Sequence, residues 1–212
     1  LGGTYIRLGK VQEALPLFNR QLAIASELRQ RREESNALGN LAIAYAHLGQ
    51  MDRVVELLEQ QLLIARELGD RHSEGIALGN LGGAYADLGD LKRAIAQHEQ
   101  YLAIARETHD PMGQGVALGN LGKEYAALGD TQRAIDIYEQ SLTIARAIGD
   151  RQTEAVTSWN LGLAYEKEGD LVRAITHLQA RVDYERAVGH PEAAAHAEHV
   201  GDVQTRLSAG GT

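Results

Sequence analysis

Residues 77–90 read ALGNLGGAYADLGD, and the phrase returns as ALGNLAIAYAHLGQ at 37–50, ALGNLGKEYAALGD at 117–130 and TSWNLGLAYEKEGD at 157–170. Each copy begins 40 residues after the one before it. A fixed period of this size marks an array of one small unit that cannot bury its apolar face alone and does so against its neighbours. A shortened copy stands at the front, where residues 1–9 align with 41–49. The array is therefore expected to begin in mid-helix, as a segment of a longer polypeptide.

The other half of the unit repeats as well. RAIAQHEQYLAIARE at 93–107 returns as RAIDIYEQSLTIARA at 133–147 and, more loosely, as RVVELLEQQLLIARE at 53–67. Leu78, Leu81, Gly82 and Tyr85 lie at helical spacing in the first half (helix A), as do Ala94, Ile95, His98, Leu102 and Ala105 in the second (helix B). Each unit is thus a pair of helices with one buried face apiece. Gly49, Gly89, Gly129 and Gly169 stand where helix A must end in a left-handed residue, and Asp90, Asp130 and Asp170 follow as N-caps. Gly69-Asp70 and Gly149-Asp150 repeat the arrangement before the next helix A, and Asp110-Pro111 keeps it with proline in the first turn.

Composition agrees and excludes other classes. Of 212 residues 44% are hydrophobic, with 3 Pro, one Phe and one Trp, a helix-favouring set with few strand formers. The net charge of −8 and the lack of a basic patch argue against nucleic acid, because phosphate binding needs clustered cations. No run of 18 apolar residues exists to span a membrane, and residues 1–4 do not resemble a signal peptide. With no Cys there is no disulfide framework and no thiolate chemistry, so the cytoplasm is the expected compartment. Frequent Ala, and Arg in preference to Lys, point to a GC-rich bacterial genome.

The pattern N-L-G-x-x-Y-x-x-x-G-D-x-x-x-A followed by a second amphipathic helix resembles the tetratricopeptide repeat (TPR). Gly82, Gly122 and Gly162 take the small position of helix A, and Ala14, Ala94, Ala134 and Ala174 that of helix B. The longer period and the phrase EQxLxIAREL-GDR are similar to Pins-type spindle-orientation adaptors, and equally to the sensor arrays of bacterial signal-transduction ATPases and pathway regulators. The resemblance implies an all-α fold, a right-handed α-α superhelix of antiparallel pairs, with helices A lining a concave groove that binds a protein or an extended peptide. It places the groove on Asn36, Gly39, Asn40, Ile43 and His47; on Gly79, Asn80 and Asp87; on Gly119, Asn120 and Lys123; and on Trp159, Asn160, Leu163 and Lys167. The groove charges do not share a sign and Gly, Ile and Val fill key positions, so a clamp for a terminal carboxylate is excluded.

Three features of this face have two readings each. A carboxamide both donates and accepts, so Asn40, Asn80, Asn120 and Asn160 could grip a peptide backbone, or each could bond a neighbouring helix. Mid-helix Gly39, Gly79 and Gly119 each cost ~1 kcal/mol relative to Ala, and could make room for a partner or for close packing of adjacent A helices. Trp159 could be a binding anchor or a plug.

No nucleophile elbow, phosphate loop or cofactor motif is present, so neither enzymatic activity nor a cofactor is expected. His196, His199 and Asp202 lie on one helical face, a spacing that chance often produces, and no metal site is expected there. The units are expected at 1–30, 31–70, 71–110, 111–150 and 151–190, with a capping helix at 191–207 and a disordered tail at 208–212. The leading expectation is a binding scaffold, the sensor or adaptor part of a signalling protein. The competing one is a structural module that self-associates end to end through Leu1, Tyr5 and Leu8.

Overall fold

The computed structural model describes residues 2–210, which carry eleven helices and no strand. They fall into two units, Leu1–Thr108 and His109–Thr212. The first holds α1 (Gly2–Arg7), α2 (Val11–Glu27), α3 (Arg31–His47), α4 (Met51–Glu67), α5 (Arg71–Asp87) and α6 (Leu91–Glu107). The second holds α7 (Pro111–Ala127), α8 (Thr131–Ile148), α9 (Arg151–Lys167), α10 (Leu171–Val188) and α11 (Ala193–Gly210). Within each unit every helix packs against the next in sequence. Ser208, Ala209 and Gly210 continue α11, where the sequence reads as tail. Leu1, Gly211 and Thr212 lie outside the described residues.

The turn between α5 and α6 shows how one short phrase sets the geometry. Gly89 adopts φ +80°, the left-handed conformation that lets the chain reverse, and the Asp90 N–H returns to the Tyr85 carbonyl at 2.9 Å. One Asp90 carboxylate oxygen accepts the Arg93 backbone N–H at 3.0 Å and the other accepts Arg93 Nε at 2.5 Å. The guanidinium so held lies 4.4 Å over the Tyr85 ring, a cation–π contact that closes the clasp. The unit recurs at Tyr165, Asp170 and Arg173, and Arg133 lies 4.0 Å over Tyr125. Two copies lack the full clasp, and in the first Lys10 gives α2 no side-chain cap and Glu13 stands where the others have Arg. In the second Gln50 provides no side-chain cap for α4, Arg53 pairs with Glu56 instead, and its guanidinium stands 6.0 Å from the Tyr45 ring.

Close approach of helices A and B is set by the small positions. A Cβ on Gly82 would lie 2.4 Å from His98 Nε2, one on Gly122 2.4 Å from the Tyr138 ring, and one on Gly162 2.7 Å from Leu178 Cγ. His98 is fully buried, and its Nε2 meets the Gly79 carbonyl at 3.1 Å, so the imidazole N–H has a partner inside the core. Leu38, Leu41, Leu78 and Leu81 of helices A and Leu57, Leu58 and Leu62 of α4 fill the core of the first unit.

Consecutive pairs are joined by polar contacts from side chains that bury their stems. Tyr85 Oη donates to Glu59 at 3.0 Å and Tyr165 Oη to Glu139 at 2.6 Å. Arg66 Nε reaches Glu74 at 2.8 Å and Arg146 Nε reaches Glu154 at 2.9 Å.

Repairing the defective clasp at α4 with Gln50→Asp should stabilise the chain by about 1 kcal/mol, the usual value of an N-cap, in denaturant unfolding. No gain would remove the clasp as a source of stability. The close approach is tested by a neighbouring pair of substitutions. Gly82→Ala forces His98 aside and should cost about 1–3 kcal/mol, whereas Gly83→Ala, with nothing within 4 Å of its added Cβ, should gain up to ~1 kcal/mol in helix propensity.

Candidate functional site

In the first unit the A helices α3 and α5 flank a groove of about 300 Å³. Gly39, Ile43, Gly79, Asn80 and Asp87 of the expected site residues line it, together with Ala42, Ala46 and Gly83. Met51, Val54 and Leu58 of α4 also line it. The walls are built from small residues because the repeat puts Gly or Ala on this side of helix A, and that is what leaves a depression. Ile43 is 50% exposed on the rim and Ile76, one turn before Asn80, is 44% exposed. Asn36 and His47 are exposed on α3, on either side of Asn40.

The asparagines differ from the buried polar groups around them. His98 has a partner inside the fold, but the carboxamides of Asn40, Asn80 and Asn160 bond no other side chain or backbone group among the described residues. Asn80 is exposed, while Asn40, Asn120 and Asn160 are half-buried. A carboxamide in this state can donate twice and accept twice to an incoming chain.

The mid-helix glycines have a use that neither sequence reading contains. A Cβ on Gly39 would lie 2.8 Å from Gln61 Nε2, and one on Gly79 3.2 Å from the Tyr101 ring. The bare backbone there makes way for helix B of the same pair. At Gly119 the nearest atom is Ser141 Oγ at 3.8 Å, ordinary contact distance.

In the second unit Asn120 and Lys123 lie on α7, and Asn160, Leu163 and Lys167 on α9, with Lys123, Leu163 and Lys167 exposed. Trp159 is engaged differently. Its ring lies 4.1 Å from that of His196 and 5.5 Å from that of His199, both on α11. His199 Nε2 meets Glu166 at 2.9 Å, and Arg206 pairs with the same carboxylate. The capping helix thus lies against this part of α9.

The anchor of α11 on α10 was not singled out from the sequence. Glu185 is fully buried; its carboxylate accepts Arg181 Nε at 2.6 Å and lies 2.7 Å from His196 Nδ1. Burial pushes the Glu185 carboxyl up, but the His196 hydrogen bond and the Arg181 charge outweigh it, and the group sits below the usual carboxylate range. Register alone could have found it: the same place holds Ala65, Ala105 and Ala145, each 1% exposed. A carboxylate in an alanine position demands partners. Glu185, Glu192 and His196 bring ligand atoms within 4.8 Å of one another, but Arg181 already neutralises the buried carboxylate.

Helix pairs that repeat along the chain, with a solvent-facing groove and no helix among the described residues long and apolar enough to cross a membrane, define a repeat scaffold. The chain belongs to the tetratricopeptide repeat family, which it matches over residues 1–60, 33–107 and 113–187. No curated protein matches it. Among solved structures it is similar to a putative kinesin light chain with nearly identical TPR-like repeats from Podosopora anserina, at 26% identity and a TM-score of 0.73 over 88% of this chain and 92% of that one. It is also similar to a Signal Transduction ATPase with Numerous Domains with a tetratricopeptide repeat sensor from Pyrococcus horikoshii, at 16% identity and a TM-score of 0.87 over 97% of this chain and 32% of that one. A Rap protein complexed with Competence and Sporulation Factor matches at 17% identity and a TM-score of 0.68 over 98% of this chain and 62% of that one. TPR proteins are generally non-catalytic interaction scaffolds, and the fold of this chain is of that kind.

The anchor of α11 gives a pH-dependent expectation. Because the folded-state pKa of Glu185 is depressed, its contribution to stability is complete above the ordinary carboxyl pKa and is lost as pH falls through the folded value. Glu185→Gln should therefore cost about 3 kcal/mol at pH 7, the scale for breaking a buried pair, and clearly less at pH 3. A gap of equal size at both pH values, measured by denaturant unfolding, would contradict this account of α11.

Proposed function

We propose that the chain is the sensor or adaptor part of a signalling protein and binds an extended segment of another protein along helices A, with the groove between α3 and α5 as its best-formed portion. The observation that carries this reading is the coincidence of a 300 Å³ groove with Asn80 on its wall, Asn40 following the lining residue Gly39 in the chain. Neither carboxamide has a partner in the fold. A bound backbone would supply both donors and acceptors, and Ile43 on the groove wall would take an apolar side chain, with exposed Ile76 on α5 offering a second apolar contact. The likeness to a STAND protein with a repeat sensor and to a Rap protein complexed with a signalling factor supports the setting, through shared fold alone.

The expected groove residues of the second unit, Gly119, Asn120, Lys123, Asn160, Leu163 and Lys167, form a separate surface in this proposal. Trp159 serves there to seat α11 through His196 and His199.

Selection of a displayed random-peptide library on the whole chain, followed by calorimetry, tests the reading. Asn40→Ala and Asn80→Ala should each weaken a selected peptide by about 1–3 kcal/mol, the scale of a hydrogen-bonding group left unpaired, with little change in unfolding free energy. Normal affinity together with early unfolding would make the asparagines structural.

Self-association is the second reading, favoured by the exposed apolar side chains of the first hairpin: Leu8 at 65%, Leu28 at 61% and Ile24 at 45%. If it holds, the sedimentation coefficient rises with concentration and Leu28→Glu abolishes the rise. A constant value over the series would leave the groove as the interaction surface.

A further inference from the structure

A second cavity lies in the other unit, between α9 and α10, with a volume of about 460 Å³. Repeat register shows how it arises. The place of Ser158 on α9 is held in the three preceding units by Leu38, Leu78 and Leu118, each at most 3% exposed and packed in the core. Ala180 on α10 stands where those units have Gln60, Gln100 and Gln140, and Ala187 where two of them have Glu67 and Glu107. Three shortened side chains on facing helices leave a hollow, and all three line it.

Two of the replacements change the polar pairing around the hollow. Ser158 is fully buried and its hydroxyl has no hydrogen-bond partner, a state that costs the desolvation of a polar group unless something fills the hollow and bonds it. Arg31 and Arg71 reach across to Glu67 and Glu107 of their own helix B. Arg151, in the same place, faces Ala187. It keeps only the Glu154 carboxylate in its own first turn, at 3.1 Å, and its side chain is 79% exposed against 41% for Arg71. Glu154 is shared with Arg146. Between the hydroxyl and the guanidinium the walls are Ala155, Ala180, Tyr184, Ala187 and Val188, and two carboxylates also line the hollow: Glu154, paired with Arg146 and Arg151, and Asp183, which accepts from Gln179 Nε2 at 2.8 Å.

We propose that this hollow is a small-molecule site for a carboxylate-bearing amphiphile with a hydroxyl or carbonyl at its far end. The carboxylate takes the place of the missing Glu107-type side chain on Arg151, the apolar body replaces the missing leucine, and the terminal oxygen bonds Ser158 Oγ. Arg151 and Ser158 are seven residues apart on one helix, which at ~1.5 Å per residue sets a ligand length of about 10 Å. An ω-hydroxy acid of about eight carbons has that reach. The cavity volume falls in the range of small-ligand pockets, ~300–1,000 Å³. The site is independent of the groove between α3 and α5 and does not rest on it.

The test uses 8-hydroxyoctanoate as probe on the whole isotopically labelled chain, followed through the backbone amide signals of residues 151–158 and 180–188. Octanoate lacks the inner oxygen and 1,8-octanediol lacks the carboxylate. The expected result is saturable shifts with 8-hydroxyoctanoate and at least tenfold weaker binding of each of the other two. Ser158→Leu restores the residue of the other units and fills the hollow, so it should fold at least as well and bind nothing. Arg151→Gln should weaken 8-hydroxyoctanoate tenfold while leaving 1,8-octanediol unchanged. The absence of shifts at millimolar 8-hydroxyoctanoate, or binding that survives Ser158→Leu, would overturn the proposal.

Discussion

Everything in this chain depends on how closely helix A lets helix B approach. At Gly82, Gly122 and Gly162 no Cβ stands between the helix A backbone and a buried side chain of helix B, and that side chain is different each time: His98, Tyr138, Leu178. The small position is therefore a socket that accepts several shapes, and the partner carries the variation. An imidazole seated there must find a hydrogen bond in the interior, which is why His98 reaches the Gly79 carbonyl. The close approach also fixes the turn. The Tyr-Gly-Asp-Arg clasp spans the reversal, tying the end of helix A to the start of helix B by a cap and a cation over a ring. A groove exists because helix A is made of small residues on the side where the next helix A stands.

Most of this was legible, because repetition turns one sequence into several readings of the same fold. The Asp caps, the left-handed glycines and the paired helices follow from the 40-residue period and from backbone stereochemistry, which act locally. Where the sequence breaks its own rule, the structure shows the result: Gln50 in an aspartate position gives an uncapped helix and a displaced Arg53. Two non-glycine residues, Arg29 and His109, hold the left-handed place that glycine holds elsewhere, with φ of 52° and 53°. They accept that conformation because the helix-ending turn imposes it.

What could not be read depends on contacts between one helix and another. The reason for Gly39 and Gly79 lies on helix B, at Gln61 and Tyr101, and no pattern within helix A reports it. The sequence leaves Trp159 as either an anchor or a plug because its cover, α11, carries none of the repeat's signature residues. Glu185 and Ser158 escaped notice for a different reason: both are exceptions at places the period would have filled with Ala and Leu. Departures from register carry as much information as the repeat. One of them builds the seat of the terminal helix and the other opens a cavity.

The measurement that bears most directly on the binding groove is nuclear magnetic resonance of the side-chain carboxamides while a selected peptide is titrated into the labelled chain. The account predicts that the NH₂ signals of Asn40 and Asn80 shift in proportion to occupancy, together with the methyl signals of Ile43 and Ile76, while amides around Lys92 on α6 stay in place. Shifts confined to helices B, with the asparagine signals unmoved at saturation, would contradict it.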